Sequence, residues 1–249
     1  AKENNYIVLH NALGLDELFY GYSYYVKAKK IQKFPGFIWK FGGYFLKGSK
    51  KRKHDEISKF GLESTPFVMR SIASWNEIQK LFQKYGSENW EHPILALLKQ
   101  VKTSNQSFDQ MPLLKKISYL DFYYYISSHH SLRSDLPSMK NETEMRFPYL
   151  DHLFVQKYFN QSNLDNGLTL AHNKPFLRKS VQSILPKDVL SMPKKGFSMP
   201  TSKWLENVNL EQDLSELSSV FDQNVVKWAD NPEKKWLLIS TAFILKNGA

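Results

Sequence analysis

One strand-like segment followed by a long run of helical patterns is the feature that most constrains how this chain can fold. Residues 5–10 (NYIVLH) are short, apolar and β-branched, the composition of a buried strand. Beyond them the pattern turns helical. Residues 15–30 carry acids in their first turn and lysines in their last, which suits the helix dipole. Residues 34–53 are aromatic and glycine-broken, then basic, and read as an irregular excursion. Residues 74–86 open with Ser74 and Glu77 in capping-box spacing and close on Gly86. Further helices are expected over 92–101, 113–130, 147–160 after a turn at Pro148, and 174–185 up to Pro186, with a loop at 103–110. Residues 193–205 read as a loop leading into a helix, and the tail holds two more helical stretches, ending in 233–248. A lone strand leaves both edges unpaired. Either another chain or a missing segment must therefore complete its sheet.

Length and charge narrow the class. The 249 residues can form one large domain or two small ones, and without a repeat or a low-complexity linker one domain over 1–249 is expected. The net charge of +10 suits an anionic partner such as nucleic acid, a membrane surface or phosphates. Much of the excess lies in residues 27–33 and 47–54. No nucleic-acid module surrounds these runs, so they read as a solvated basic loop and a nucleic-acid partner is not expected. Cysteine is absent, which excludes disulfides, a thiolate metal site and a cysteine-dependent glutaminase within this chain. Lys2 and Glu3 precede only a short apolar run, and no apolar stretch reaches membrane-spanning length. A cytoplasmic location without a membrane partner is the expectation.

Three stretches could carry chemistry. Residues 10–22 (HNALGLDELFYGY) place Asp16 and Glu17 after the strand and at a helix start, where α/β proteins gather ligands. A carboxylate there can hold Mg²⁺, which takes one or two carboxylates plus phosphate oxygens. The plainer alternative is an acid pair that stabilises the helix start by ~0.3–1 kcal/mol each. Gly14 and Gly21 permit close backbone approach on either side. Residues 193–200 (PKKGFSMP) present Lys194 and Lys195 in a loop, as mobile point charges for phosphate or as solvated surface. Residues 133–151 interleave Arg133, Asp135, Glu144, Arg146 and Asp151 with apolar side chains, a pattern of partly buried ion pairs. His129 and His130 precede them about 100° apart on a helix, which makes them poor joint ligands. One reads as packed and the other, His130, as a polar group for an active site.

Taken in order, these blocks resemble the synthetase domain of glutamine-dependent asparagine synthetases. Asp16-Glu17-Leu18-Phe19-Tyr20-Gly21-Tyr22 is similar to the family's metal motif. Arg133, Asp135, Ser138, Met139, Glu144, Arg146, Pro148, Tyr149, Leu150 and Asp151 follow its second signature. Lys174, Leu177 and Arg178 match its Lys-x-x-Leu-Arg helix, followed by Leu185-Pro186. Lys194, Gly196, Phe197, Pro200, Trp204 and Leu205 match its last block.

The resemblance implies a mostly α fold: the C-terminal, helix-rich part of an α/β adenine-nucleotide-hydrolase-like (ATP-pyrophosphatase) synthetase domain, with a strand near residues 5–10. It implies ATP and Mg²⁺ as cofactors, adenylation of a small-molecule or peptide carboxylate, and attack by ammonia or an amine. Asp16 then resembles the Mg²⁺ ligand, and Lys194 the lysine that neutralises the leaving pyrophosphate. Lys194, Arg178 and Gly14 fall to cofactor binding, and Glu17, His130 and Glu144 to substrate contact or support of the site. The family's Ser-Gly-Gly-x-Asp-Ser ATP loop and its glutaminase domain are not among these residues. An N-terminal segment or partner chain carrying that loop is therefore expected. Two positions depart from the family pattern: Leu13 stands where an acid or tyrosine is usual, and Met192 where an arginine is usual. They keep open a second reading, a non-catalytic synthetase-like subunit that acts as a scaffold or binding partner.

Overall fold

A computed structural model describes residues 2–83, 86–196, 200–208 and 225–247. The chain divides into two compact units. The first comprises Ala1–Met69 with Leu97–Lys195, and the second Arg70–Ala96 with Gly196–Ala249.

In the first unit the strand finds its partner within the chain. β1 (Val8–His10) pairs in parallel with β2 (Glu144–Arg146), with Leu9 opposite Met145, and the ladder extends through the Asn11 amide to the Arg146 carbonyl at 2.9 Å. This corrects the expectation that only an outside segment could pair with β1. The three residues Glu-Met-Arg are too short and too charged for strand periodicity to register. The expected buried strand over 5–10 is corrected as well. Asn5 turns with φ of +56°, and Tyr6 and Ile7 are 62% and 73% exposed.

The helix expected over 15–30 is two helices, α1 (Leu15–Leu18) and α2 (Ser23–Ile31). Tyr20 breaks them with a left-handed φ of +61°, and the turn returns the Gly21 amide to the Asp16 carbonyl at 2.7 Å. Next come α3 (Gly36–Gly42), α4 (Gly48–Phe60) and α5 (Thr65–Arg70). In the second unit, α6 (Trp75–Leu81) starts at the expected box: the Ser74 hydroxyl accepts from the Glu77 amide, and the Glu77 carboxylate accepts from the Ser74 amide. After α7 (Pro93–Ser104), the aromatic stretch 113–130 divides into α8 (Leu113–Leu120) and a π-helical run, Asp121–His130. The helix continues as α9 (Ser131–Lys140) through Pro137, into residues read as charged ion pairs. Asp151 caps α10 (His152–Phe159) by accepting from the Leu153 and Phe154 amides. Short helices α11 (Pro175–Ser180), α12 (Lys187–Ser191) and α13 (Thr201–Trp204) follow, then Val225–Trp228 and Pro232–Asn247.

The core of the first unit is built on the stretch that carries Asp16. Leu18, Phe19, Tyr20, Tyr24, Tyr25, Val26 and Ala28 are buried with Leu114 and Ile117 of α8 and with Leu164 and Leu168. Burying each large apolar side chain stabilises by roughly 1.5–3 kcal/mol. The segment that presents the acid is thus among the best anchored in the unit. The second unit has its own core of Leu81, Val225, Ala229, Leu238 and Ala242.

Candidate active site

Asp16 lies in the first turn of α1, just past the carboxyl end of β1. Two glycines set its position. Gly14 caps α1 with φ of +98°, and a methyl built on it would stand 2.5 Å from Leu150 Cδ2. A methyl on Gly21 would fall on the Asp16 carboxylate, 2.8 Å from its Cγ. Only glycine lets the backbone pass so close to the acid.

Two lysines meet the carboxylate from other elements. Lys174 Nζ lies 2.8 Å from Asp16 Oδ1, and Lys194 Nζ lies 2.9 Å from Oδ2. Burial alone would raise the Asp16 carboxyl, but the Lys174 and Lys194 ammoniums outweigh it and hold the group below the ordinary carboxylate value. Two cations facing one anion leave the cluster net positive, an electrostatic environment that favours anions.

Packing explains how residues so distant in sequence meet. Phe19 stacks on Phe176 with ring centroids 6.0 Å apart and nearly parallel, and meets Tyr158 edge-on at 5.3 Å. Phe176 belongs to α11, so the stack sets Lys174, the residue before that helix, opposite Asp16. Lys174 itself holds a left-handed φ of +51° ahead of Pro175. Arg178 on α11 organises the loop that carries Lys194. Its guanidinium donates to the Asn173 carbonyl at 2.8 Å, to Asn173 Oδ1 at 3.0 Å, to the Met192 carbonyl at 2.9 Å and to the Leu190 carbonyl. Arg178 is the expected cofactor-binding arginine, but here its donors are engaged by protein. Met192 offers its carbonyl to Arg178 while its side chain is 60% exposed. Lys194 also lies 5.5 Å from the centre of the Tyr22 ring.

Glu17 points the other way, into the core. It is 1% exposed and its Oε1 accepts from Tyr22 Oη at 2.7 Å. Burial raises its carboxyl to about 7, with Asp121 repelling it further and the Tyr22 hydroxyl pulling it back. Tyr24 and Tyr25 each donate to Asp121 Oδ2 at 2.6 Å. The two neighbouring acids thus have different environments: Asp16 faces lysines, and Glu17 joins a buried tyrosine–carboxylate network.

The remaining expected residues are placed elsewhere. Glu144 lies on β2 in an exposed pair with Arg146, at 2.8 Å and 3.1 Å. The partly buried ion pair expected there is corrected: only Met145 between the two is partly covered. His130 packs edge-on against Tyr125 at 4.4 Å, and His129 contacts the same ring at 6.1 Å. Lys195 is exposed, and Phe197 lies outside the described residues. Lys174 was matched as a motif position without a role. Its pairing with Asp16 depends on the Phe19–Phe176 stack, which no local pattern announces.

With that geometry in place, the comparisons with known proteins converge. The family model for asparagine synthase matches residues 3–227, and the chain belongs to that family. It is 27% identical over 202 residues to the glutamine-hydrolyzing asparagine synthetase 1 of Bacillus subtilis, covering 78% of this chain and 31% of that relative. It is 29% identical over 92 residues to proteins of Mycobacterium tuberculosis and Mycobacterium bovis provisionally named glutamine-hydrolyzing asparagine synthetases, covering 36% of this chain and 14% of each relative. The chain therefore spans about a third or less of the length of these relatives. No solved structure matches.

Proposed function

We propose that this chain forms the Mg²⁺- and pyrophosphate-facing side of an ATP-dependent, amide-forming ligase. A carboxylate is converted to an acyl-adenylate, pyrophosphate leaves, and ammonia or an amine then attacks the acyl carbon, breaking the acyl–phosphate bond and releasing AMP. The observation that carries this reading is Asp16 held between Lys174 and Lys194 at the carboxyl end of β1.

The residues fit a Mg²⁺ ion shared with phosphates. Asp16 Oδ1 is a buried oxygen, 2.8 Å from the Lys174 ammonium. Among the described residues, no three carboxylates or imidazoles converge on a metal-sized space. One protein carboxylate, completed by phosphate oxygens and water, is the donor set that Mg²⁺ accepts. When bound, Mg²⁺ would neutralise charge developing on the leaving pyrophosphate. Asp16 would hold it. Lys174 and Lys194, freed from the carboxylate, would turn to the phosphate oxygens. Arg178 would keep the Lys194 loop in place, and Glu17 with Tyr22 would fix the floor beneath. Preorganised cations of this kind lower the barrier because they need not reorganise as charge builds.

The fold supports the same reading. A two-stranded parallel sheet with Tyr6 and Ile7 exposed is incomplete, since parallel sheets are covered on both faces. A segment bearing the phosphate-binding loop would extend it, giving the adenine-nucleotide-hydrolase-like layer. Carboxylate-dependent exchange of labelled pyrophosphate into ATP by the intact protein tests the proposal. Exchange that is lost in both Asp16→Asn and Lys194→Met supports it. No exchange across a panel of amino-acid, sugar and peptide carboxylates would leave the non-catalytic scaffold as the better reading.

A further inference from the structure

The segment from Lys27 to Lys53 holds ten Lys and Arg residues and no acid. Those ten equal the whole net charge of +10, so the rest of the chain is balanced. The structure gives this charge a shape. α3, the turn Gly43–Phe45 and α4 pack on one another and are pinned from within. Trp39 Nε1 donates to Ser58 Oγ at 2.9 Å, the Trp39 carbonyl lies 2.8 Å from His54 Nε2, and the two rings pack at a tilt of 33° with centroids 4.2 Å apart. A side chain on Gly43 would overlap the His54 ring. Trp39 and His54 thus hold the hairpin together from inside, while Lys53 ties it to the Met69 carbonyl at 2.9 Å.

What the hairpin turns outward is apolar. Phe34, Phe37 and Ile38 are 58%, 64% and 46% exposed, and Phe45 is 88% exposed. Lys33, Lys47, Lys50 and Lys51 flank them, also exposed. Large apolar side chains exposed this close together along the chain mark an interaction surface. Apolar aromatics ringed by lysines fit the boundary of an anionic bilayer. The rings bury in the acyl boundary while the lysine stems reach back to phosphate headgroups. Nucleic acid fits less well, because Phe34, Phe37, Ile38 and Phe45 offer no hydrogen-bond donors and Ile38 cannot stack on a base. No helix among the described residues is long and apolar enough to cross a membrane, and a docking surface needs none.

We propose that the α3–α4 hairpin is a peripheral docking surface for anionic lipid bilayers. It is independent of the adenylation reading, since no residue of the Asp16 cluster takes part. Sedimentation of the purified protein with phosphatidylglycerol–phosphatidylcholine vesicles, against pure phosphatidylcholine vesicles, tests it. Binding to the anionic vesicles alone is expected, weakening as salt rises. Each surface cation contributes about fivefold to partitioning, so the charge reversal Lys47→Glu with Lys50→Glu lowers it by at least about 25-fold. Phe37→Ser with Phe45→Ser abolishes binding with the circular dichroism spectrum unchanged. Absence of binding to anionic vesicles overturns the proposal, as does binding that survives both variants. Tight binding of a single-stranded oligonucleotide that Phe37→Ser with Phe45→Ser leaves intact, without vesicle binding, assigns the surface to nucleic acid instead.

Discussion

Asp16 is fixed from several directions at once: the Gly21 amide on its carbonyl, Lys174 and Lys194 on its oxygens, and Phe19 packed three residues on. Gly21→Ala is the sharpest probe of this arrangement, because the new methyl occupies the space of the carboxylate. Displacing a reacting group by about 1 Å can cost 100-fold in rate. Pyrophosphate exchange in Gly21→Ala should fall by about that factor, with thermal unfolding changed far less than exchange. Equal loss of fold and exchange would show that Gly21 matters for packing alone. Arg178 makes a complementary case. It bonds the Asn173 carbonyl ahead of α11 and the Met192 carbonyl just before Lys194, and such charge-assisted bonds are worth ~1.5–3 kcal/mol each when a partner is removed. Arg178→Lys should not rescue Arg178→Ala, because an ammonium cannot reach several fixed acceptors with the guanidinium fork. Exchange assays with both variants decide this, and full activity in Arg178→Lys would refute the clamp. Asp16 and Lys194 were legible in the sequence because each sits in a stretch with its own signature. Lys174 was not, because its role exists only once α11 packs on Phe19.

Elements were legible where the stop and start signals are local. Ser74 and Glu77 announce α6, and both reciprocal bonds are formed. Removing the hydroxyl in Ser74→Ala should cost about 1 kcal/mol, the usual worth of such a cap. Chemical denaturation of the variant measures it, and an unchanged midpoint would mean that the Glu77 carboxylate alone holds the turn. Elements were illegible where tertiary contacts overrule local preference. Acids in the first turn and lysines in the last read as one helix over 15–30, yet the chain breaks at Tyr20 to bring Gly21 against Asp16. β2 is three residues of mixed charge that become a strand only by pairing with β1. The aromatic helix from 113 widens into π geometry from Asp121, where Tyr24 and Tyr25 converge on the Asp121 carboxylate. That convergence is a property of two elements together, and periodicity within either one carries no trace of it.

At the scale of the whole molecule, the two units differ in what holds them. The first rests on the aromatic core around Phe19 and Tyr25, and the second joins its apolar core to a charged knot. Lys234, 8% exposed, reaches Glu77 at 2.9 Å and Asp230 at 3.2 Å, and lies 4.9 Å from the centre of the Trp228 ring; Trp228 Nε1 donates to Glu77 Oε1 at 3.1 Å. Burial would raise the Glu77 carboxyl, but the Ser74 amide and hydroxyl and the Lys234 ammonium outweigh it and lower the group to about 2. The folded value lies below the ordinary 4.5, so the folded state favours the ionised carboxylate. That stabilisation is fully present above about pH 4.5 and is lost as pH falls towards about 2. Lys234→Met keeps an apolar stem in place but removes one source of the lowering. The acid-dependent loss should therefore begin at the same pH and end sooner, with a smaller total drop in melting temperature. Tryptophan fluorescence can follow the second unit, which holds Trp75, Trp90, Trp204, Trp228 and Trp236, whereas the first holds Trp39. Melting curves read by tryptophan emission across this pH window, for the parent chain and Lys234→Met, carry the test. Parallel pH profiles for the two would show that Lys234 does not set the acid stability of this unit, and that the Ser74 and Trp228 bonds hold Glu77 ionised without it.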